Sequence, residues 1–150
     1  MNSPTLKEFG EERIASGESC LVVDLAACTG MDSTFMGTLA GLAARLATAE
    51  DGVLQVAQPG ERNRRSLEDL GLDFLMKIDP VKAEWQDEIE EIRASLKPPR
   101  AVAKPGDLQR AALVLEAHQV LSNANEGNAR KFSGVVSLLE AELAEKRKEK

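Results

Sequence analysis

The sequence predicts an α/β fold, a small sheet of parallel strands joined by crossover helices, followed by a purely helical C-terminal part. Three observations carry that expectation. Short apolar runs at 20–25, 53–56 and 72–78 alternate with stretches of helical spacing, and strands in that order pair in parallel through right-handed crossovers. After Gly106 a mostly apolar stripe steps by three or four residues, which is the period of helix packed on helix. At 150 residues the chain has room for one ordinary domain with an appendage.

Each element follows from its residues. Leu6, Phe9 and Ile14 stand among charges, with Pro4 fit for a first turn and Gly17 for a stop, so 4–16 reads as a short amphipathic helix. Cys20 to Leu25 is apolar except at Asp24, the pattern of a strand covered on both faces. From Thr34 to Thr48, Phe35, Met36, Leu39, Leu42, Ala43 and Leu46 keep helical spacing. Gly37, Ala40, Gly41 and Ala44 make this helix thin enough for close packing on a sheet. Val53 to Val56 is a second strand closed by Gln58-Pro59-Gly60, and 61–70 a helix with Leu67 and Leu70 on one face and Gly71 as its stop. Residues 72–78 return to the sheet as a short strand.

Beyond it, Asp79-Pro80 reads as a cap and first-turn proline for a helix with Val81, Trp85, Ile89, Ile92 and Leu96 on one face, ending before Pro98-Pro99. Residues 98–106 are a linker by composition. The stripe Leu108, Ala111, Leu115, His118, Ser122, Asn125, Ala129, Phe132, Val136, Leu139 and Leu143 then holds one heptad phase. The preferred reading is a single helix over 107–147 with a polar notch at His118, Ser122 and Asn125, since Gly127 inside it costs only about 1 kcal/mol. The alternative breaks at Gly127 and restarts at Asn128, making a hairpin. The division is thus 1–80, 81–97, 98–106 and 107–150, ending in a solvated charged tail.

Composition excludes several functions. Aromatics are 3% of the chain, against 43% hydrophobic residues, so the core is aliphatic and platforms for stacking bases are lacking. The net charge is −6; residues 1–80 carry 7 basic and 13 acidic side chains, and 81–150 carry 12 of each. An acidic surface repels nucleic acid and anionic lipid, so the expected partner is another protein. Cys20 and Cys28 are expected to be two small buried thiols of a reducing compartment, too far apart along extended chain to bond. The N-terminus lacks the regions of a signal peptide, and the expected location is cytoplasmic. No P-loop, dinucleotide fingerprint, nucleophile elbow or zinc spacing occurs, so neither enzyme activity, cofactor nor metal is expected.

The densest signal is the junction Val22-Val23-Asp24-Leu25, five connecting residues, then Met31-Asp32-Ser33-Thr34 opening a helix that contains Gly37. It resembles the signature of STAS domains, the family of bacterial anti-sigma factor antagonists. The resemblance continues through Asn63, Leu67, Gly71, Leu72 and Ile78, and covers about residues 3–80. It implies a small α/β domain that binds a kinase-type anti-sigma factor and lets go when a serine at this turn is phosphorylated, with a PP2C-type phosphatase to reset it. It places the phosphoacceptor on Ser33, with Thr34 as the alternate, and the partner surface on Asp32, Thr34, Phe35 and Met36. Asp24, Gly37 and Asn63 are supporting positions, Asn63 as a helix-start cap.

Elementary physics agrees with such a role. A phosphate on Ser33 would sit at a helix N-terminus, where free N–H groups and the macrodipole favour negative charge. It would add about two negative charges beside Asp32, enough to repel a partner that had accepted a neutral hydroxyl. The bland alternative makes Ser33 an N-cap with no regulatory role.

Two departures from the family stand out. Phe35-Met36-Gly37 replaces the usual Gly-Leu-Gly, and one of the two bulky side chains is expected to stay exposed as a partner anchor. The family's two N-terminal strands have no counterpart in Met1-Asn2-Ser3: either the chain begins late, or the missing edge is supplied by the C-terminal helices or another copy. Two other functions are compatible with the sequence. One is a scaffold subunit that forms a homodimer through the C-terminal helix, the other a nucleotide- or anion-binding module. His118, the lone histidine, reads as a packed polar notch, and Arg62, Arg64 and Arg65 as a solvated face or a phosphate or carboxylate contact.

Overall fold

The computed structural model describes residues 2–97 and 103–150; most of the expected linker falls outside them. Three strands, β1 (Cys20–Asp24), β2 (Val53–Ala57) and β3 (Lys77–Ile78), form a parallel sheet in the order β1-β2-β3. Val22 stands opposite Gln55, and Val56 opposite Ile78. The helices before and between them are α1 (Ser3–Ala15), α2 (Ser33–Leu46) and α3 (Gly60–Asp69). Leu39 and Leu46 of α2, Leu54 and Val56 of β2, Leu67 of α3 and Leu72 are fully buried together and form the aliphatic core. Burial of each such side chain contributes about 1.5–3 kcal/mol.

Two sheet elements differ from the sequence reading. β1 is covered on one face only: Leu21 and Val23 pack toward the core, whereas Cys20, Val22 and Asp24 are exposed. On the back of the sheet a thin strap meets β2, where the Trp85 indole N–H donates to Gln55 Oε1 at 2.5 Å. Cys20 is accordingly an exposed free thiol and Cys28 a half-buried one. Residues 72–78 are not one strand. Leu72–Phe74 is a 3-10 turn, begun by Gly71 at φ +68°, and only Lys77 and Ile78 join the sheet.

The expected helix over 81–96 is also corrected. It is a 3-10 turn at Glu84–Asp87 and a short α4 (Ile89–Ser95). Asp79 takes φ +49° instead of capping a helix. Of the expected apolar face only Ile89 is buried, while Val81, Ile92 and Leu96 are exposed among the described residues. Phe9 of α1 is likewise exposed.

The C-terminal part is a helical hairpin, α5 (Asp107–Ala124) and α6 (Glu126–Lys148), and not one long helix. The break falls at Asn125, two residues before the expected alternative. Asn125 is extended, and its side-chain oxygen accepts the Asn128 N–H at 2.8 Å, which makes it the N-cap of α6. The heptad stripe serves the two arms against each other: the His118 ring meets Phe132 edge-on at 5.8 Å. Asn125 and the buried Asn128 each donate a side-chain N–H to the Leu70 carbonyl, at 3.0 and 2.8 Å. The hairpin tip is thereby tied to the end of α3.

Candidate functional site

The Asp24 to Ser33 connection leaves the carboxyl end of β1 and enters α2, the place where open parallel sheets present their binding loops. Asp32 is the N-cap of α2: its backbone is extended, and its carboxylate accepts the Phe35 N–H at 2.7 Å. Ser33 is therefore the first helical residue and not the cap. Its hydroxyl is not consumed by local capping. Thr34 follows half-buried, and its carbonyl accepts the Thr38 hydroxyl at 2.9 Å.

The partner of Ser33 comes from the hairpin. Ser33 Oγ lies 2.9 Å from His118 Nε2, while His118 Nδ1 lies 2.7 Å from the Val114 carbonyl oxygen. A carbonyl only accepts, so Nδ1 carries the proton; in the neutral ring Nε2 is then the acceptor, and the Ser33 hydroxyl donates to it. His118 is 7% exposed, held between α2 and α6. It is a packed polar residue, as expected, but its contact with Ser33 spans 85 positions and had no sequence signal.

Gly37 explains how α5 comes so near. A Cβ there would stand 2.8 Å from the Ala117 Cα and would collide with the Ala117 carbonyl. The thin face of α2 is thus built for close packing, against α5 in addition to the sheet. Phe35 and Met36 are both buried, at 8% and 9% exposure, and belong to the core. That corrects the expectation that one of them is an exposed anchor: the helix turns both inward once α5 covers the opposite side.

The supporting residues are also placed. The Asp24 carboxylate accepts the Ala26 N–H at 3.1 Å and forms a two-point pair with the Arg93 guanidinium at 2.7 and 2.8 Å. Hydrogen bonding to Arg93 holds its carboxyl below the ordinary range; partial burial opposes this, and the Ala26 N–H adds to it. Arg93, which also donates to Gln58 at 3.0 Å, is a residue sequence reasoning missed. Asn63 is not a cap. It is buried, and donates to the Cys28 carbonyl at 2.8 Å, fastening the loop that leads to Ser33. In the arginine cluster, Arg65 pairs with Glu61 and Arg64 with Glu68 and Asp79. Arg62 instead lies along the loop, its guanidinium carbon 3.8 Å from where a Gly30 Cβ would be.

Among the described residues no cluster of three or more His, Cys, Asp or Glu side chains is placed to hold a metal ion. Among the same residues, no helix is long and apolar enough to cross a membrane. The parallel sheet with a capped serine turn at its carboxyl edge defines a small α/β domain. The STAS domain family matches residues 1–85, over half of the chain, and this protein belongs to it. No curated protein and no solved structure gives a match.

Proposed function

We propose that this STAS protein is a phosphorylation-controlled interaction switch of the anti-sigma factor antagonist type, working in the cytoplasm. Its unphosphorylated Ser33 turn docks on a serine kinase of the histidine-kinase-like ATPase type, the anti-sigma factor. That kinase transfers the γ-phosphoryl group of ATP to Ser33. The bond between the γ-phosphorus and the β–γ bridging oxygen breaks, one to Ser33 Oγ forms, ADP leaves, and the hydroxyl proton passes to the kinase. The added charge then repels the kinase surface, and a PP2C-type phosphatase hydrolyses the phosphoserine to restore docking. The chain is ligand and substrate here, not enzyme.

The observation that supports this reading best is the division of labour at the turn. Asp32 caps α2, so the Ser33 hydroxyl is spared from holding the helix together. A serine needed only as a cap would use its oxygen locally. The anion-binding alternative is weaker, because the Phe35 N–H is already satisfied and the Asp32 carboxylate occupies the position an anion would take. The scaffold alternative is weaker where stripe residues serve the hairpin itself, as His118 and Phe132 do.

The test is complex formation with a serine kinase of the histidine-kinase-like ATPase type from the same organism, in the presence of ADP. Wild type should co-elute with the kinase and Ser33→Glu should not. Equal binding by both would overturn the reading.

A further inference from the structure

The face of α2 that carries Ser33, Gly37 and Gly41 is the surface a kinase would need, and the chain's own hairpin lies on it. Three contacts hold it there. His118 accepts the Ser33 hydroxyl, Ala117 sits against Gly37, and Asn125 and Asn128 bind the Leu70 carbonyl. Leu121 adds a fully buried apolar plug. At the side of this contact, Glu116 pairs with Lys7 of α1, and Arg45 of α2 with Glu11 at 2.6 Å.

We propose that the α5–α6 hairpin is a displaceable occupant of the partner-docking face of α2, which shields Ser33 when docked, is displaced by the kinase that binds the unphosphorylated turn, and is kept from returning when Ser33 carries phosphate. This rests on the switch reading given above. Leu121 shares the core of α2 and β2, and two features of the contact favour an occupant over a permanent wall. A cleft of about 240 Å³ remains between the helices, lined by Thr38, Gly41, Leu113 and Val120 among others, so the fit is incomplete. The two arms also pack on each other, through His118 on Phe132 and Gln119 bonded to Glu140, so they can move as a unit.

The chemistry of the Ser33–His118 contact makes it sensitive to modification. At 2.9 Å there is no room for a phosphoryl group between Oγ and Nε2. Phosphorylation also removes the hydroxyl proton that Nε2 accepts. Linkage makes the effect mutual: as far as phosphate disfavours docking of the hairpin, docking disfavours phosphorylation.

Two experiments on the full chain test this. The first uses no kinase: hydrogen exchange of the α5 amides at 115–121 is compared in wild type, Ser33→Ala and Ser33→Glu, with the amides of Leu54 and Val56 in β2 reporting that the domain stays folded. Exchange in α5 should rise about tenfold further in Ser33→Glu than in Ser33→Ala, which loses only the His118 hydrogen bond. Unchanged protection of α5 with β2 protected overturns the proposal.

The second locks the hairpin with Gly41→Cys and Val120→Cys in a chain carrying Cys20→Ser and Cys28→Ser. A Cβ at Gly41 lies 3.7 Å from Val120 Cγ2, close enough for a bridge. The oxidised form should be phosphorylated about tenfold more slowly than the reduced form. Equal rates overturn the proposal and leave the switch reading standing; no phosphate on Ser33 in either form overturns the switch reading itself.

Discussion

The Ser33 hydroxyl donates to Nε2 of His118 across 2.9 Å, joining the first turn of α2 to the middle of α5. The pair couples the candidate phosphoacceptor to the only histidine of the chain. A double-mutant cycle with Ser33→Ala and His118→Ala, read by chemical denaturation, should show a coupling energy of about 1 kcal/mol. Strictly additive losses would mean that the contact contributes nothing.

Gly37 sets the approach of α5. In Gly37→Ala the added methyl meets the Ala117 backbone, which cannot give way as a flexible side chain would. The helix gains about 1 kcal/mol from alanine, yet overpacking costs about 1–3 kcal/mol. A net loss in equilibrium unfolding is expected, with Gly41→Ala, which has only Val120 Cγ2 near it at 3.7 Å, neutral or stabilising. Equal effects of the two would contradict the close-approach role.

Asn125 holds two positions at once, N-cap of α6 and donor to Leu70. Asn125→Ala should cost about 1–2 kcal/mol by thermal or chemical unfolding. If the hairpin were a continuous helix, alanine there would stabilise it, so the sign of the change decides between the two.

The Asp24–Arg93 pair carries a pH signature. A carboxyl depressed in the folded state stabilises the fold above its unfolded pKa, about 3.9. That stability disappears as pH falls through the lower folded value. Asp24→Asn should therefore be less stable than wild type at neutral pH, with the gap closing below about pH 4. A gap of constant size across that range would show that the charge of Asp24 is irrelevant.

Much of the α/β part was legible in the sequence because its signals are local. Asp32 before a helical period, Gly71 after one, and apolar runs at the right spacing each act within a few residues. The errors arise where a pattern has two physical solutions. A heptad stripe is satisfied by one long helix with a partner or by two arms facing each other, and only the Asn125 cap decides. The apolar run of β1 suggested two covered faces, whereas Cys20, Val22 and Asp24 are exposed. Gly37, Ala40 and Gly41 did announce a close neighbour, but α5 was not foreseen as one. At the site, Ser33 and Asp32 could be found from their spacing. His118 and Arg93 could not, because their partners lie 85 and 69 positions away and no periodicity links them.

The central claim is that Ser33 accepts phosphate from a partner kinase. Intact-mass measurement after incubation with a serine kinase of the histidine-kinase-like ATPase type from the same organism and ATP tests it most directly. One phosphoryl group on wild type and on Thr34→Ala, and none on Ser33→Ala, is the predicted result. No gain on wild type, or the same gain on Ser33→Ala, would contradict it.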